Sequence, residues 1–426
     1  MSSVSATTVA CNVSPGDAPP GRDLAPVWIR RGTAEYRAAG FALFLAGFAC
    51  YSLIYCVHPL LPAFARSFGV SPAESSLSLS LTTGMLAFSI LIASAFSQAL
   101  GRRGMMFCSL LLAALCNIAT AVTPSWSGLL VARAIEGMVI GGVPAVAIAY
   151  LSEEIDPENL GKTIGLYVAG TAFGGMMGRV GIGVLTEFTS WRMALGIIGV
   201  LGLLAACGFL ALLPRSRNFV ARPGFDPLFH LRTWGMQLRN RALLRIYVCG
   251  FLMTSAFVTL FNYVIFRLSG PPYSLSQSVI SLIFLTYAFG MVSSSVAGGL
   301  ADRFGRRPLL IAGFLIMLVG IGLTLADSFG LIFGGVVLVT TGFFIAHSVA
   351  SGSIGPLAGA SKGHAASLYL LFYYMGSSIV GSVGGWFWQH GGWGWVAALT
   401  GSLAFLGAIL AITGGAFRQP PLAARR

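Results

Sequence analysis

Charged residues are scarce in this chain of 426 residues. Asp, Glu, Lys and Arg make up 9% of it, where a soluble globular protein contains about 25%. Long stretches contain none of the four, and one of them runs from Gly363 to Phe417. So few charges cannot cover a water-facing surface, and the hydrophobic share of 56% must then meet lipid. The composition excludes a soluble globular protein and predicts a membrane protein.

Sequence motifs of common enzyme and metal sites are also missing. The seven cysteines form no CxxC pair, and most lie in or beside apolar stretches, as small buried side chains do. No nucleophile elbow, HExxH or GxxxxGK[ST] sequence occurs, so hydrolase, zinc peptidase and ATPase chemistry have no support. A receptor would need a long soluble output domain, which the sequence does not contain. We therefore predict a protein that is not an enzyme and has no cofactor or metal.

The apolar stretches predict twelve membrane-spanning helices, because roughly 20 apolar residues cross a bilayer. They lack the in/out alternation of membrane strands, which favours helices over a barrel. The predicted helices are 39–58, 75–97, 105–123, 127–151, 162–186, 191–213, 244–267, 277–299, 308–326, 328–352, 364–387 and 393–416. The predicted fold is an all-α membrane protein with two six-helix bundles around a central cavity.

The flanking segments complete the predicted organisation. Residues 1–38 form a disordered tail without a signal peptide, 39–213 the first bundle, 214–243 a linker, 244–417 the second bundle and 418–426 a short tail.

The basic residues predict the orientation. Each predicted helix crosses the membrane once, so successive loops lie on alternate sides. This places twenty-one of the 26 Lys and Arg residues on the side of the two termini and only Arg66, Arg192 and Arg267 on the opposite side. Basic residues concentrate on the cytoplasmic side of membrane proteins. We therefore expect a multi-pass protein of the cytoplasmic (inner) membrane with both termini in the cytoplasm. The net charge of +13 is explained by this asymmetry and by anionic lipid, so a nucleic-acid partner is not expected.

The two predicted bundles repeat each other in sequence. A shift of 202 residues pairs Leu166-Tyr167 with Leu368-Tyr369, and also Gly174 with Gly376, Gly183 with Gly385 and Trp191 with Trp393. A shift of 204 pairs Gly101-Arg102-Arg103 with Gly305-Arg306-Arg307. Parallel six-helix repeats joined by a long basic loop are typical of transporters.

One loop carries a more specific resemblance. The segment from Gly298 to Pro308, with Asp302, Arg303, Gly305, Arg306 and Arg307, resembles the G-x-L-a-D-R-x-G-R-[RK] loop of the major facilitator superfamily. In physical terms, Gly298 would allow close helix contact, Asp302 would cap or pair, and the arginines would hold the loop at the lipid surface. The first-half copy keeps Gly101, Arg102 and Arg103 but has Gln98 and Ala99 in place of Asp and Arg. We expect both loops to act as cytoplasmic gates. The acidic residues Glu153, Glu154, Asp156 and Glu158 could form a solvated loop, or they could pair with Arg102 and Arg103 in the outward-facing state and so replace the missing Asp at position 98.

Further stretches narrow the resemblance. Tyr55 to Pro62, Gly142 to Glu154 and Gly174 to Arg179 resemble the YnfM-like group of bacterial facilitators. The resemblance implies transport of a small molecule by a monomer. Proton-coupled efflux is the favoured function, and import or uniport of an organic anion or sugar is the alternative. Gly165, Gly174 and Gly178 also resemble the glycine motif of drug–proton antiporters, although Gly170, Gly174 and Gly178 would equally serve helix packing.

Three charges are predicted inside the membrane: Arg133, Glu136 and Arg179. Each costs about 2.5–3.5 kcal/mol at a helix centre unless compensated. We expect one cluster in the outer half, near His58, in which two arginines flank Glu136 and leave a spare positive charge. Such a cluster could bind an anionic or carboxylate-bearing substrate or relay a proton through His58. It could also be a structural ion pair that only holds helices together.

The remaining candidates lie on other predicted helices. His347 is a second intramembrane titratable group, either a coupling residue or a hydrogen-bonded structural one. In the superfamily that this chain resembles, helices one, four, seven and ten line the cavity, and that resemblance supports the choice of cavity residues by analogy. Aromatic residues at such positions could equally serve helix packing. Candidate cavity-lining residues are Tyr51, Tyr55, Asn262, Tyr263, Phe343, Tyr373 and Tyr374.

Overall fold

The computed structural model describes residues 28–219, 227–359 and 361–414, without the side chains of 94–100. Its named elements are all helices, apart from one isolated bridge between Ile29 and Ile155. The α-helices are α1 Ala34–Tyr55, α2 Leu61–Phe68, α3 Pro72–Leu100, α4 Arg102–Val122, α5 Trp126–Ile140, α6 Gly142–Glu154, α7 Pro157–Phe188, α8 Trp191–Leu212, α9 Pro227–Arg239, α10 Arg241–Ser269, α11 Gln277–Ser281, α12 Tyr287–Phe304, α13 Arg306–Leu323, α14 Phe329–Gly352, α15 Ile354–Leu357 and α16 Lys362–Thr413. Short 3-10 helices lie at His58–Leu60 and Leu282–Thr286.

Within the described ranges, eleven helical stretches are long and apolar enough to cross a membrane. The last, α16, has 52 residues, and Gly392 interrupts it with φ 59° and ψ −150°. A continuous helix of that length would measure roughly 78 Å, far more than the roughly 30 Å of a bilayer core. Gly392 therefore divides α16 into spans 11 and 12. In chain order, spans 1 to 10 are α1–α2, α3, α4, α5–α6, α7, α8, α10, α11–α12, α13 and α14–α15. The all-helical, twelve-span prediction is confirmed.

Several helices begin earlier than predicted, because their first turns are polar and escaped a search for apolar residues. Thr33 caps α1, and its side chain accepts a hydrogen bond from the Tyr36 N–H at 3.2 Å. Ser71 and Glu74 form a capping box at the start of α3. These caps satisfy the backbone N–H groups that a helix start leaves without partners.

Close glycine contacts in both halves hold spans 5 and 11 against spans 1 and 7. A Cβ added to Gly174 would lie 2.2 Å from the Phe48 carbonyl oxygen, and one added to Gly376 would lie 2.5 Å from that of Phe251. Gly178 packs equally tightly on Ser52 of α1. Since only glycine permits such approach, the packing interpretation of the glycine motif is confirmed. Gly165, by contrast, has nothing within 4 Å of a Cβ position.

The two GRR turns also share their geometry. Gly101 and Gly305 have φ values of 81° and 88°, a conformation that favours glycine. Arg103 donates to the Leu210 carbonyl at the end of span 6, and Arg307 donates to the Ile412 carbonyl at the end of span 12. The internal repeat is thus present in backbone conformation and in contacts.

Gly298 does not make the close helix contact expected of it, because nothing lies within 4 Å of the position its Cβ would take. The residue of this loop whose conformation favours glycine is Gly305, with its positive φ.

The two halves, residues 34–212 and 241–413, meet on the side away from their ends. We call the side where α1 begins and α16 ends the termini side, and the opposite side the far side. On the far side, Gly183 of span 5 packs on Ser281 of span 8, and Gly385 of span 11 packs on Ala73 of span 2. These two glycines are the pair that the 202-residue repeat matched. The interface therefore has approximate two-fold symmetry.

Hydrogen bonds reinforce the far-side interface. Ser278 donates to Glu187 at 2.8 Å, and the Gln277 amide donates to the Pro59 carbonyl. Near the middle of the membrane, Tyr51 and Tyr374 share a hydrogen bond of 3.0 Å. Two more hydrogen bonds join the halves near the middle of the spans, from Ser377 to the Thr83 hydroxyl and from Ser378 to the Ser80 carbonyl. The halves are closed on the far side.

Candidate functional site

A cavity of about 210 Å³ lies between the two halves and receives side chains from both. The first half contributes Tyr51, Tyr55, Gly175 and Arg179, among others. The second half contributes Phe257, Tyr287, Phe343, His347, Tyr373 and Tyr374, among others. No Asp or Glu is among the lining residues found in the described chain.

Arg179 is the positively charged group of this cavity. Its Nε donates to His58 Nδ1 at 3.1 Å, and one terminal nitrogen donates to the Gly175 carbonyl at 2.6 Å. The guanidinium carbon lies 3.9 Å from the centre of the Tyr55 ring, with Tyr287 at 5.0 Å. These are cation–π distances, which favour the charge without neutralising it. Arg179 is only 3% exposed.

His58 links Arg179 to the far-side interface. It lies in the 3-10 helix that follows α1, and its ring packs 5.1 Å from the ring of Phe284 in the second half. Because the Arg179 Nε can only donate, His58 Nδ1 must accept, and a neutral His58 then carries its proton on Nε2. The Asn262 side chain, on α10 of the second half, lies next to His58 as a further hydrogen-bonding neighbour.

Arg133 and Glu136 form a separate buried ion pair on α5, 2.6 Å apart and both 0% exposed. Arg133 also donates to the carbonyls of Leu53 and Ile54 on α1 and of Ser78 on α3. Its donors therefore tie span 4 to spans 1 and 2.

The expected single cluster of two arginines around Glu136 is not what the structure shows. Arg179 has no carboxylate within 4.0 Å among the described residues, and Glu136 pairs with Arg133 alone. Both arginines are expected in the outer half of the bilayer, but depth along a helix does not fix the direction of a side chain around its axis. Arg179 turns toward His58, and Arg133 turns toward the carbonyls at the end of α1.

His347 lies on the second-half wall of the cavity. Its Nδ1 is 2.9 Å from the Tyr369 hydroxyl, and its ring stacks on Phe343 with an interplanar angle of 8°. Tyr373 lies against it, with ring centres 5.1 Å apart. His347 is thus a hydrogen-bonded residue that also faces the cavity.

Two of the seven predicted lining residues do not line this cavity. Asn262 and Tyr263 point from α10 toward span 11, where both donate to the Gly381 carbonyl, at 3.2 and 2.9 Å. The prediction was wrong for them because a helix presents different residues to its neighbours and to the cavity. Tyr51, Tyr55, Phe343, Tyr373 and Tyr374 lie on the cavity wall.

Sequence reasoning missed the contribution of span 8. Tyr287, just after the 3-10 helix Leu282–Thr286, lines the cavity and faces Arg179, and Phe284 lies 5.1 Å from the same guanidinium. Both residues lie in a long stretch without charged residues, so no buried charge marked them in the sequence.

The predicted gating loops lie on the termini side, away from the cavity. Arg102 forms a two-point ion pair with Glu153, with contacts of 3.1 and 2.6 Å. This ion pair was expected in the outward-facing state, with the termini side closed. It is present here although the contacts between the halves lie on the far side. In the second loop, Asp302 and Arg303 are exposed. The side chain of Gln98 lies outside the described residues.

Comparisons with known proteins agree with this architecture. The family model of the Major Facilitator Superfamily matches residues 43–272 and 269–425. The uncharacterized MFS-type transporter YybF of Bacillus subtilis is 42% identical over 366 residues, covering 85% of this chain and 89% of the relative. The inner membrane transport protein YnfM of Escherichia coli is 43% identical over 364 residues, covering 85% and 87%.

A solved structure shows the same fold. The D-xylose-proton symporter superposes with a TM-score of 0.71 at 16% identity, covering 89% of this chain and 98% of that one. The chain therefore belongs to the major facilitator superfamily and is a multi-pass membrane protein that transports a small molecule.

Proposed function

We propose that this protein is a secondary active transporter that exports a small organic molecule in exchange for protons by alternating access. The observation that supports it most is a cavity walled by both halves, which are in contact on the far side. A movement that parts the far side and joins the termini side would expose the same cavity to the other face of the membrane. Every wall comes from one chain, so a monomer would suffice.

The proposed orientation sets the face of the membrane to which the cavity opens. The basic residues assign the termini side to the cytoplasm. With the far side closed, the cavity faces the cytoplasm, the state in which an exporter takes up its substrate and an importer releases it.

The proposed proton carrier is His58, with His347 as a second candidate. Protonated His58 has no lone pair left to accept the Arg179 hydrogen bond, so protonation would release Arg179. The groups around His58 are Arg179 on span 5, Phe261 and Asn262 on span 7, and Phe284 on span 8. Glu136 is a weaker candidate, because it is fully buried against Arg133 and does not line the cavity.

Uptake by inside-out vesicles tests this proposal. We expect at least one member of a panel of neutral, cationic and anionic organic compounds to accumulate when the vesicle interior is acid, and a protonophore to abolish the accumulation. Empty vesicles give the background. Accumulation that ignores the gradient for every compound would remove the exchange mechanism.

A substitution at His58 tests the carrier. His58→Gln keeps an oxygen that can accept from Arg179 but cannot take up a proton. Under the proposal the variant still equilibrates substrate but loses the acceleration by the pH gradient. If the variant keeps that acceleration, His58 is not the proton carrier and His347 becomes the candidate. His347→Gln then tests His347 in the same way.

A second candidate function is import or uniport of an organic anion. Among the described residues, Arg179 has no carboxylate partner and its cavity has no acidic lining residue, which favours this function. The same vesicles in opposite orientations distinguish import from export.

A further inference from the structure

The hydrogen-bond donors of Arg179 are only partly used. A guanidinium has five N–H donors and keeps its charge at all accessible pH values. In the described chain Arg179 uses one donor on His58 and one on the Gly175 carbonyl. Both acceptors are neutral. Donors on the terminal nitrogens therefore remain for a ligand, at a residue that lines the cavity.

The rings around Arg179 fix its orientation. Tyr55 lies 3.9 Å from the guanidinium carbon, and Tyr287 and Phe284 lie at 5.0 and 5.1 Å. His58 holds Nε in place. A guanidinium held in this way presents its terminal nitrogens in a fixed position, which suits the two oxygens of a carboxylate.

Other arginines next to aromatic rings lack this arrangement. Arg192, 4.3 Å from the Trp191 ring centre, donates to the carbonyls of Ala121 and Thr123 and does not line the cavity. Arg267, 5.4 Å from the Trp393 ring centre, has Asp327 at 3.5 Å. Arg179 differs because it combines burial, cavity position and the absence of a carboxylate partner among the described residues.

The size and walls of the cavity limit what can bind there. Its volume of about 210 Å³ is below the roughly 300–1,000 Å³ of drug-sized ligand pockets. Phe257, Phe343 and Tyr373 supply apolar ring surface from the second half.

We propose that Arg179 anchors a small organic monoanion, with its carboxylate on the guanidinium and an apolar or aromatic body against the rings of the second half. This substrate class presupposes the transport cavity proposed above. His58 acts as a positioning residue, because it holds the guanidinium through Nε rather than touching the substrate.

Binding to the purified full chain in detergent tests the anchor independently of transport. The probes are benzoate, its neutral counterpart benzamide, its cationic counterpart benzylamine, and acetate, which has the charge without the ring. We expect benzoate to bind more tightly than the other three. In Arg179→Gln the affinity for benzoate should fall about tenfold or more, since a charged hydrogen bond is lost.

Control variants separate binding from folding. Arg192→Gln removes another ring-stacked arginine outside the cavity and should leave benzoate binding unchanged. Should Arg179→Gln fail to fold, Arg179→Lys keeps the charge but loses the planar guanidinium. Its affinity for benzoate should be lower than that of the wild type but still measurable.

The outcomes distinguish the two proposals. Benzoate binding that depends on Arg179, without transport of any carboxylate, supports the anchor and contradicts the transport proposal. Transport of neutral or cationic compounds that Arg179→Gln leaves intact supports transport and overturns the anchor. Equal binding of benzoate and benzamide, or no carboxylate binding at all, also overturns it.

Discussion

Span 4 of the first half and span 10 of the second half are held by different interactions. Arg133 on span 4 pairs with Glu136 and donates to carbonyls of spans 1 and 2. A shift of 202 residues takes position 133 to Gly335, whose absent side chain lets span 10 approach span 9. A Cβ there would lie 2.6 Å from the Gly320 carbonyl oxygen. Span 4 also has a close glycine contact, since a Cβ at Gly137 would lie 2.2 Å from the Thr82 carbonyl oxygen. The difference is that span 4 adds a buried ion pair, whereas span 10 has no Asp, Glu, Lys or Arg.

The same contrast recurs at the cavity. The 202-residue shift takes Arg179 to Gly381, whose carbonyl accepts from Asn262 and Tyr263. One position of the repeat is a cation facing the cavity, and its counterpart is a packing site. The halves have therefore divided their roles in part: the first provides the charge and the rings of Tyr51 and Tyr55, and the second provides most of the lining rings and His347.

Removing the charge of Arg133 should have the largest effect on stability. Arg133→Met leaves Glu136 buried without its partner, which typically costs about 3–5 kcal/mol. We expect little folded protein. The measurement is thermal unfolding in detergent, followed by tryptophan fluorescence. The double variant Arg133→Met/Glu136→Leu removes both charges and should recover part of the loss. A double variant no more stable than the single one would show that the pair is not what holds span 4.

Filling the glycine contact should destabilise the second half by less. Gly335→Leu forces a side chain against span 9 and should cost about 1–3 kcal/mol, as overpacking does. Its neighbour gives a matched control, because nothing lies within 4 Å of a Cβ at Gly334. Thermal unfolding should separate Gly335→Leu from Gly334→Leu. Equal stability of the two variants would contradict the packing role assigned to Gly335.

Blocking the contact between the halves should reduce transport while the fold survives. In Gly183→Leu the new Cβ would meet the Ser281 hydroxyl at 1.8 Å, which prevents far-side closure. We expect initial transport rates to fall at least about tenfold, or about 1.4 kcal/mol. Gly181→Leu is the control on the same helix, since its Cβ position is open. Normal rates in Gly183→Leu would mean that closure at this contact is not required.

The termini-side ion pair should contribute least. Arg102 and Glu153 are 2.6 Å apart, and the Glu153 side chain is 30% exposed. Partly exposed pairs contribute about 0–1 kcal/mol. Glu153→Gln should therefore change thermal stability only slightly and alter transport more than stability if the pair is a gate. The swap Arg102→Glu/Glu153→Arg should restore transport, and its failure to do so would count against the gating role.

The fold could be predicted because three features of the sequence reflect the bilayer directly. They are the length of the stretches without charged residues, the concentration of basic residues on one side, and the internal repeat. Helix starts were predicted less well, since caps such as Ser71 and Glu74 are polar. At the site, the sequence identified Arg179, His58 and His347 but not their pairing. Which way Arg133 and Arg179 turn depends on packing between helices far apart in sequence. The role of Tyr287 depends on the same packing, and no local pattern marks it.

A reversible cross-link on the far side tests most directly whether the halves must part for transport. Ser278 and Glu187 lie on opposite halves and are joined by a hydrogen bond of 2.8 Å. Both would be replaced by cysteine in a background where Cys11 and the exposed Cys108 and Cys207 are serine. A control pair within the first half replaces Ser67 and Trp191, whose side chains are 3.0 Å apart.

Each cross-linked protein is compared with its own reduced form in vesicles. Alternating access predicts that the Ser278–Glu187 cross-link stops transport, that reduction restores it, and that the control cross-link changes little. Transport at the full rate with the halves cross-linked across the far side would contradict the account.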